Sequence, residues 1–129
     1  MGDKFENING GIIATRGSTI ALEGAIVAAH EAIIGHASTL NQKGQQDVAE
    51  ALKELESLIA KASDSELALE RRVESLELLK QVADEATKPT PNKTALKFLG
   101  QGFLETIKSA PAILSSVQKS WPIVSSLWI

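Results

Sequence analysis

Residues 48–86 read VAEALKELESLIAKASDSELALERRVESLELLKQVADEA, and the spacing within this stretch decides the fold. Val48, Leu52, Leu55, Ile59 and Ala62 recur at steps of four, three, four and three. That period places them on one helix face, with Glu50, Lys53, Glu54, Glu56 and Lys61 between them on a solvated one. Leu69, Val73, Leu76, Leu79, Val82 or Ala83, and Ala86 repeat the arrangement. Ser63-Asp64-Ser65-Glu66, between the stripes, has the form of a capping box: the Ser63 hydroxyl accepts from the third helical amide and Glu66 reaches back. So short a connection predicts an antiparallel, coiled-coil-like helical hairpin.

On the N-terminal side, Lys4 to Ala14 has β character. Phe5 and Ile8 precede Asn9-Gly10-Gly11, and Ile12-Ile13-Ala14-Thr15 then runs to Arg16-Gly17-Ser18. Asn-Gly between short branched-apolar stretches signals a tight turn, so residues 1–18 read as a small hairpin or ribbon. A lone two-stranded ribbon is marginal in water and must pack on helices or pair with another chain. From Ser18 or Thr19 as N-cap, Ile20 to Leu40 reads as a helix, with Leu22, Ile26, Ala29 and Ile33 in step. Gly24, Gly35 and the branched residues leave strand open as an alternative up to Val27.

On the C-terminal side, Thr87-Lys88-Pro89-Thr90-Pro91-Asn92 breaks the helical pattern, because proline lacks an amide donor and pushes its predecessor out of helical dihedrals. Asn92 or Thr90 then caps the next helix. Residues 93–129 carry Leu96, Leu99, Phe103, Ile107, Ala110, Leu114, Val117, Trp121, Val124 and Trp128 at steps of three and four. Pro111 and Pro122 each suit the first turn of a new helix, behind Ser109 and Ser120 or nearby, so one kinked helix or two or three short ones fit equally. The expected fold is mainly α: one folded unit with a β element (1–18), a helical body (19–87), a Pro-rich hinge (88–92) and an apolar helical segment (93–129).

The chain has 129 residues, 43% apolar and 22% charged, enough for a single core. It contains no cysteine, which removes disulfides, thiol catalysis and cysteine-ligated metals. The N-terminus lacks a basic start with an apolar core, so a cytoplasmic protein is expected. Net charge is −3, unevenly spread: residues 1–92 hold 9 Lys/Arg against 15 Asp/Glu, while residues 93–129 hold Lys93, Lys97, Lys108 and Lys119 against Glu105 alone. An acidic body of this kind does not suit a nucleic-acid binder, which needs a dense basic footprint.

Candidate chemistry is sparse. His30 and His36 are six residues apart, a poor spacing for ligands on one helix face, and read as ordinary surface histidines; no metal is expected. Asn9-Gly10-Gly11 and Gly17-Ser18-Thr19 match neither a P-loop nor a dinucleotide fingerprint and read as turns, so no cofactor is expected. The central carboxylates, Glu50, Glu54, Glu56, Glu66, Glu70, Glu74 and Glu77, fall on the solvated face with Arg71, Arg72 and Lys80 as partners. With no nucleophile–base pair, the chain does not read as an enzyme.

The C-terminal stripe is the most pointed signal. Phe103, Ile107, Leu114, Val117, Trp121, Val124 and Trp128 are the interaction candidates, either as the last core helix, as a docking face for a partner or a second copy, or as an amphipathic segment in peripheral contact with a membrane. Lys108, Gln118 and Lys119 interrupt it well short of a membrane span.

Two resemblances bear on function. Gly11-Ile12-Ile13-Ala14-Thr15-Arg16-Gly17, followed by Leu22-Glu23-Gly24-Ala25, resembles the opening strand–turn–helix of bacterial microcompartment shell proteins; the sheet-forming second half and glycine-rich pore loop of that family are replaced here by a helical hairpin. Ala86-Thr87-Lys88-Pro89 through Asn92-Lys93, and Leu99-Gly100-Gln101-Gly102-Phe103-Leu104 to Pro111, is similar to a loose family of small uncharacterised bacterial proteins and C-terminal modules. These join a short β element, a helical hairpin and an apolar tail. The resemblance implies an accessory of bacterial defence or signalling systems that associates rather than catalyses.

Overall fold

The computed structural model describes residues 17–129, with side chains from Ile20 onward, and those residues form five helices. They are α1 (Gly17–Gln42), α2 (Gln46–Ala60), α3 (Leu69–Ala86), α4 (Lys93–Ile107) and α5 (Pro111–Ser125). The described chain is thus mainly helical; the β reading of residues 1–16 lies outside the described residues. Gly17, Ser18 and Thr19 belong to α1. They form its first turn rather than a glycine turn and a cap, and the strand alternative up to Val27 is excluded.

The α1–α2 turn rests on a residue that apolar periodicity does not mark. Gly44 has φ +85°, the left-handed region that glycine enters without a Cβ penalty. The Gln45 amide donates to the Leu40 carbonyl at 2.9 Å and the Gly44 amide to Asn41 at 3.1 Å, the paired bonds of a Schellman terminus. They satisfy carbonyls that the end of α1 would otherwise leave unpaired.

The α2 stripe and the α3 stripe from Leu76 onward lie where their spacing places them, while Leu69 and Val73 at the start of α3 are only half-buried. Val48, Leu52, Leu55 and Ile59 of α2, and Leu76, Leu79 and both Val82 and Ala83 of α3, are buried. The capping box is only half formed. Glu66 reaches back to the Ser63 amide at 3.0 Å, but the Ser63 hydroxyl donates to the same carboxylate at 3.1 Å instead of accepting from a helical amide. It closes a turn in the connection, and α3 begins only at Leu69, without a side-chain cap. Arg72 secures that connection, pairing with Asp64 and donating from Nε to the Leu67 carbonyl.

The break after α3 is stapled. Glu85 accepts from the Asn92 amide and from Lys88 Nζ, each at 2.9 Å, and Lys43 Nζ donates to the Thr87 carbonyl at 2.6 Å. Asn92 caps α4, its side chain accepting from the Ala95 amide at 3.0 Å. The C-terminal segment resolves into two helices. Pro111 opens α5 behind Ala110, whereas Pro122 lies inside α5 and starts no new helix.

The helices form three layers. α1 packs on both α2 and α3; α4 packs on α3, α5 on α2, and α4 and α5 touch each other. Among the described residues α1 touches neither α4 nor α5, so the α2/α3 pair separates α1 from the C-terminal helices. Apolar burial in both gaps supplies the main drive for folding.

Candidate interaction surfaces

The seven C-terminal candidates divide by burial. Phe103, Ile107, Val117 and Val124 have no exposed surface, while Leu114, Trp121 and Trp128 are partly buried against the core. Steps of three and four turn these residues toward α3 and α2, so the stripe packs as core, and only the last three retain area for a partner. Phe103 stacks on Trp121 at 5.5 Å between centroids with 14° between planes; Trp121 meets Trp128 edge-on at 5.7 Å. Gly100 makes room for this cluster: a Cβ there would stand 2.6 Å from Trp128 Cη2.

Hydroxyls link the layers. Ser75 Oγ on α3 and Thr106 Oγ1 on α4 lie 2.7 Å apart, both buried, and also bond to the Arg71 and Phe103 carbonyls at 2.7 and 2.6 Å. Ser120 of α5 donates to Glu54 of α2 at 2.7 Å. Beside that bond, α2 and α5 border an open trough of about 940 Å³ lined by Ser57, Lys61, Ser116 and Lys119 among others. Two polar groups at its edge already have partners within the chain: Glu54 holds Ser120, and Glu66 holds Ser63.

Glu56 departs from the solvated-face reading. It is 4% exposed, and its Oε1 lies 2.9 Å from His30 Nδ1 of α1. Glu56 is one step of four from Leu52 and one of three from Ile59, so it shares their face, and this is the signal that could have marked it. The two histidines join different elements: His36 approaches Asp84 of α3 at 3.6 Å. Both face carboxyl groups of the α2/α3 layer, and among the described residues no group of three or more His, Asp or Glu gathers as a metal site. On the exposed surface, Arg71 pairs with Glu74 and Lys80 with Glu77.

The outward surfaces of α1 and α4 were not singled out by the sequence. Helix α1 is rich in alanine and aliphatic residues, with Glu23, His30 and Glu31 exposed, and only one of its faces is covered. Ile20 is 78% exposed, Val27 57% and Ile34 37%, at seven-residue spacing along the uncovered face. Nothing in the chain stands within 4 Å of where a Cβ on Gly24 or Gly35 would lie. The 23 residues Ile20–Gln42 are long and apolar enough to cross a membrane, with 17% of the most apolar window buried. On α4, Phe98 is 77% exposed beside a shallow concavity of about 510 Å³. A seven-residue repeat of Ile, Val and Ile, and an aromatic out of step with its helix's buried residues, are the available signals.

No protein-family model, curated protein or solved structure matches this chain.

Proposed function

We propose that the chain is a non-enzymatic interaction and oligomerisation module, an accessory of the kind found in bacterial defence or signalling systems. The observation that carries this reading is the outer face of α1. Exposed apolar patches mark contact sites, and the outer half of this helix faces solvent, with Glu23, His30 and Glu31 among its apolar residues. Ile20, Val27 and Ile34 lie on that half. The partner is a second copy of the chain or another protein, and nucleic acid does not fit the acidic body. Light scattering across the micromolar range tests the reading. A mass above the monomer supports it; a strict monomer that also recovers no partner by affinity capture contradicts it.

A second reading is peripheral membrane contact. Support for it comes from α1, whose length and hydropathy suffice for a bilayer, and from the partly exposed Trp121 and Trp128 on a segment with four lysines and one acid. Under this reading the chain co-sediments with anionic vesicles and its tryptophan emission shifts to the blue. Absence of both effects contradicts it.

A further inference from the structure

We infer that the cleft between α1 and α2 binds a free α-amino acid with a short aliphatic side chain, its ammonium group on Glu56 and its carboxylate on Lys61. This binding does not depend on association between copies.

The starting point is the buried carboxyl group. Glu56 borders a cleft of about 260 Å³ in which Ile26, Val27 and His30 of α1 face Ala60 and Lys61 at the end of α2. Its side chain is only 5% exposed. His30 Nδ1 stands 2.9 Å from Oε1, but no hydrogen bond from the described residues reaches either oxygen. A carboxylate offers about four acceptor sites, and a buried one without donors is costly. What completes it is a group that brings both N–H donors and positive charge, as a primary ammonium does.

The rest of the cleft sets what else the ligand carries. Ile26, Val27 and Ala60 form apolar walls, so the body beside the ammonium is aliphatic. At about 260 Å³ the cleft is smaller than the usual pocket for a drug-sized molecule, which limits that body to a few carbon atoms. Lys61 borders the same cleft, is exposed, and makes no ion pair among the described residues. It would repel a bare alkylammonium, just as Glu56 would repel a bare carboxylate. A zwitterion with both groups satisfies both residues. Five residues separate Glu56 from Lys61, a rise of about 7.5 Å along a helix, and the lysine side chain is long enough to close that gap. His30, 51% exposed, leaves the cleft open to solvent on the α1 side.

Amide NMR shifts of the full chain, titrated with L-leucine, isoamylamine and isovalerate, test the inference. The two analogues keep a branched aliphatic body with only the amine or only the carboxylate. Leucine is expected to saturate a single site with shifts centred on Val27, Glu56 and Ala60, and to bind about tenfold more tightly than either analogue. Glu56→Gln is expected to weaken leucine about tenfold. Lys61→Gln is expected to weaken leucine by a similar factor without weakening isoamylamine. Circular dichroism checks that both variants fold, and the exposed Lys61 keeps the test decisive if Glu56→Gln does not. Leucine shifts that fail to saturate or lie away from the cleft overturn the inference. So does an analogue that binds as tightly as leucine, or a folded variant of either residue that binds leucine as wild type does.

Discussion

The Trp128 indole lies across Gly100, so close that a methyl group at position 100 would stand 2.6 Å from Cη2 and 2.9 Å from Cζ2. The last aromatic of the chain is thereby seated on α4, and through Trp121 it joins the buried Phe103. Gly100→Ala separates the contact from helix propensity. Alanine gains about 1 kcal/mol over glycine within a helix, while overpacking costs about 1–3 kcal/mol. The expected outcome is a red shift of tryptophan emission with a net stability loss of up to about 2 kcal/mol. Unchanged emission with raised stability in denaturant unfolding would show that the indole does not rest there.

The His30–Glu56 contact predicts an order among variants. His30→Ala removes the imidazole 2.9 Å from a carboxyl group that is 4% exposed, at an expected cost of about 1–3 kcal/mol. Adding Glu56→Leu removes the stranded charge and fills its place with apolar volume, and should recover much of that loss. Urea midpoints of the two variants check the order. A double variant less stable than His30→Ala contradicts the assignment.

Ser75 and Thr106 share two hydroxyl protons among three contacts: their mutual bond and the Arg71 and Phe103 carbonyls. Removing either hydroxyl leaves the other able to serve its own carbonyl. Ser75→Ala and Thr106→Val should each cost about 1 kcal/mol, and the double variant less than the sum of the two. A double-mutant cycle with no coupling would separate the two groups.

The staple after α3 has a pH signature. The Asn92 amide, and then Lys88, hold the Glu85 carboxyl below its ordinary value of 4.5, and the same carboxylate raises Lys88 above 10.5. A carboxyl depressed in the folded state adds stability above pH 4.5 that is lost as pH falls through its folded value. A raised lysine adds stability below pH 10.5 that is lost as pH rises through its own folded value. Glu66, lowered by the Ser63 amide and hydroxyl, adds to the acid limb. Glu85→Gln should therefore melt below wild type at neutral pH, with the gap closing in acid. A gap that persists below about pH 4, where carboxyls of this kind protonate, is inconsistent with this account.

How much of the fold was legible depended on how local its cause was. The stripes of α2 and α3, the Asn92 cap and the proline break each arise from a few consecutive residues and are present in the structure. The connection after Ser63 departs from its expected form because Glu66 bonds the Ser63 amide whether or not a helix starts there. Pro122 suits a helix start by its local sequence, although position 122 of α5 tolerates the missing donor inside the helix. The burial of Glu56 follows from its spacing to Leu52 and Ile59, whereas its neighbour His30 belongs to another helix and escapes a reading of α2 alone. The uncovered faces of α1 and α4 left only a seven-residue repeat and an out-of-step Phe98 in the sequence, signals that do not by themselves say which face stays open. Periodicity finds an apolar stripe, but which side of a helix as rich in alanine and aliphatics as α1 is left open depends on where α2 and α3 pack.

The central claim is association through the outer face of α1, and the most direct measurement is the solution mass of wild type beside Val27→Glu, across the micromolar range at low and high salt. The account predicts a wild-type mass above 13.7 kDa, and a folded Val27→Glu variant that remains at the monomer mass. A variant that assembles as wild type does, or a wild type that never exceeds the monomer, contradicts it.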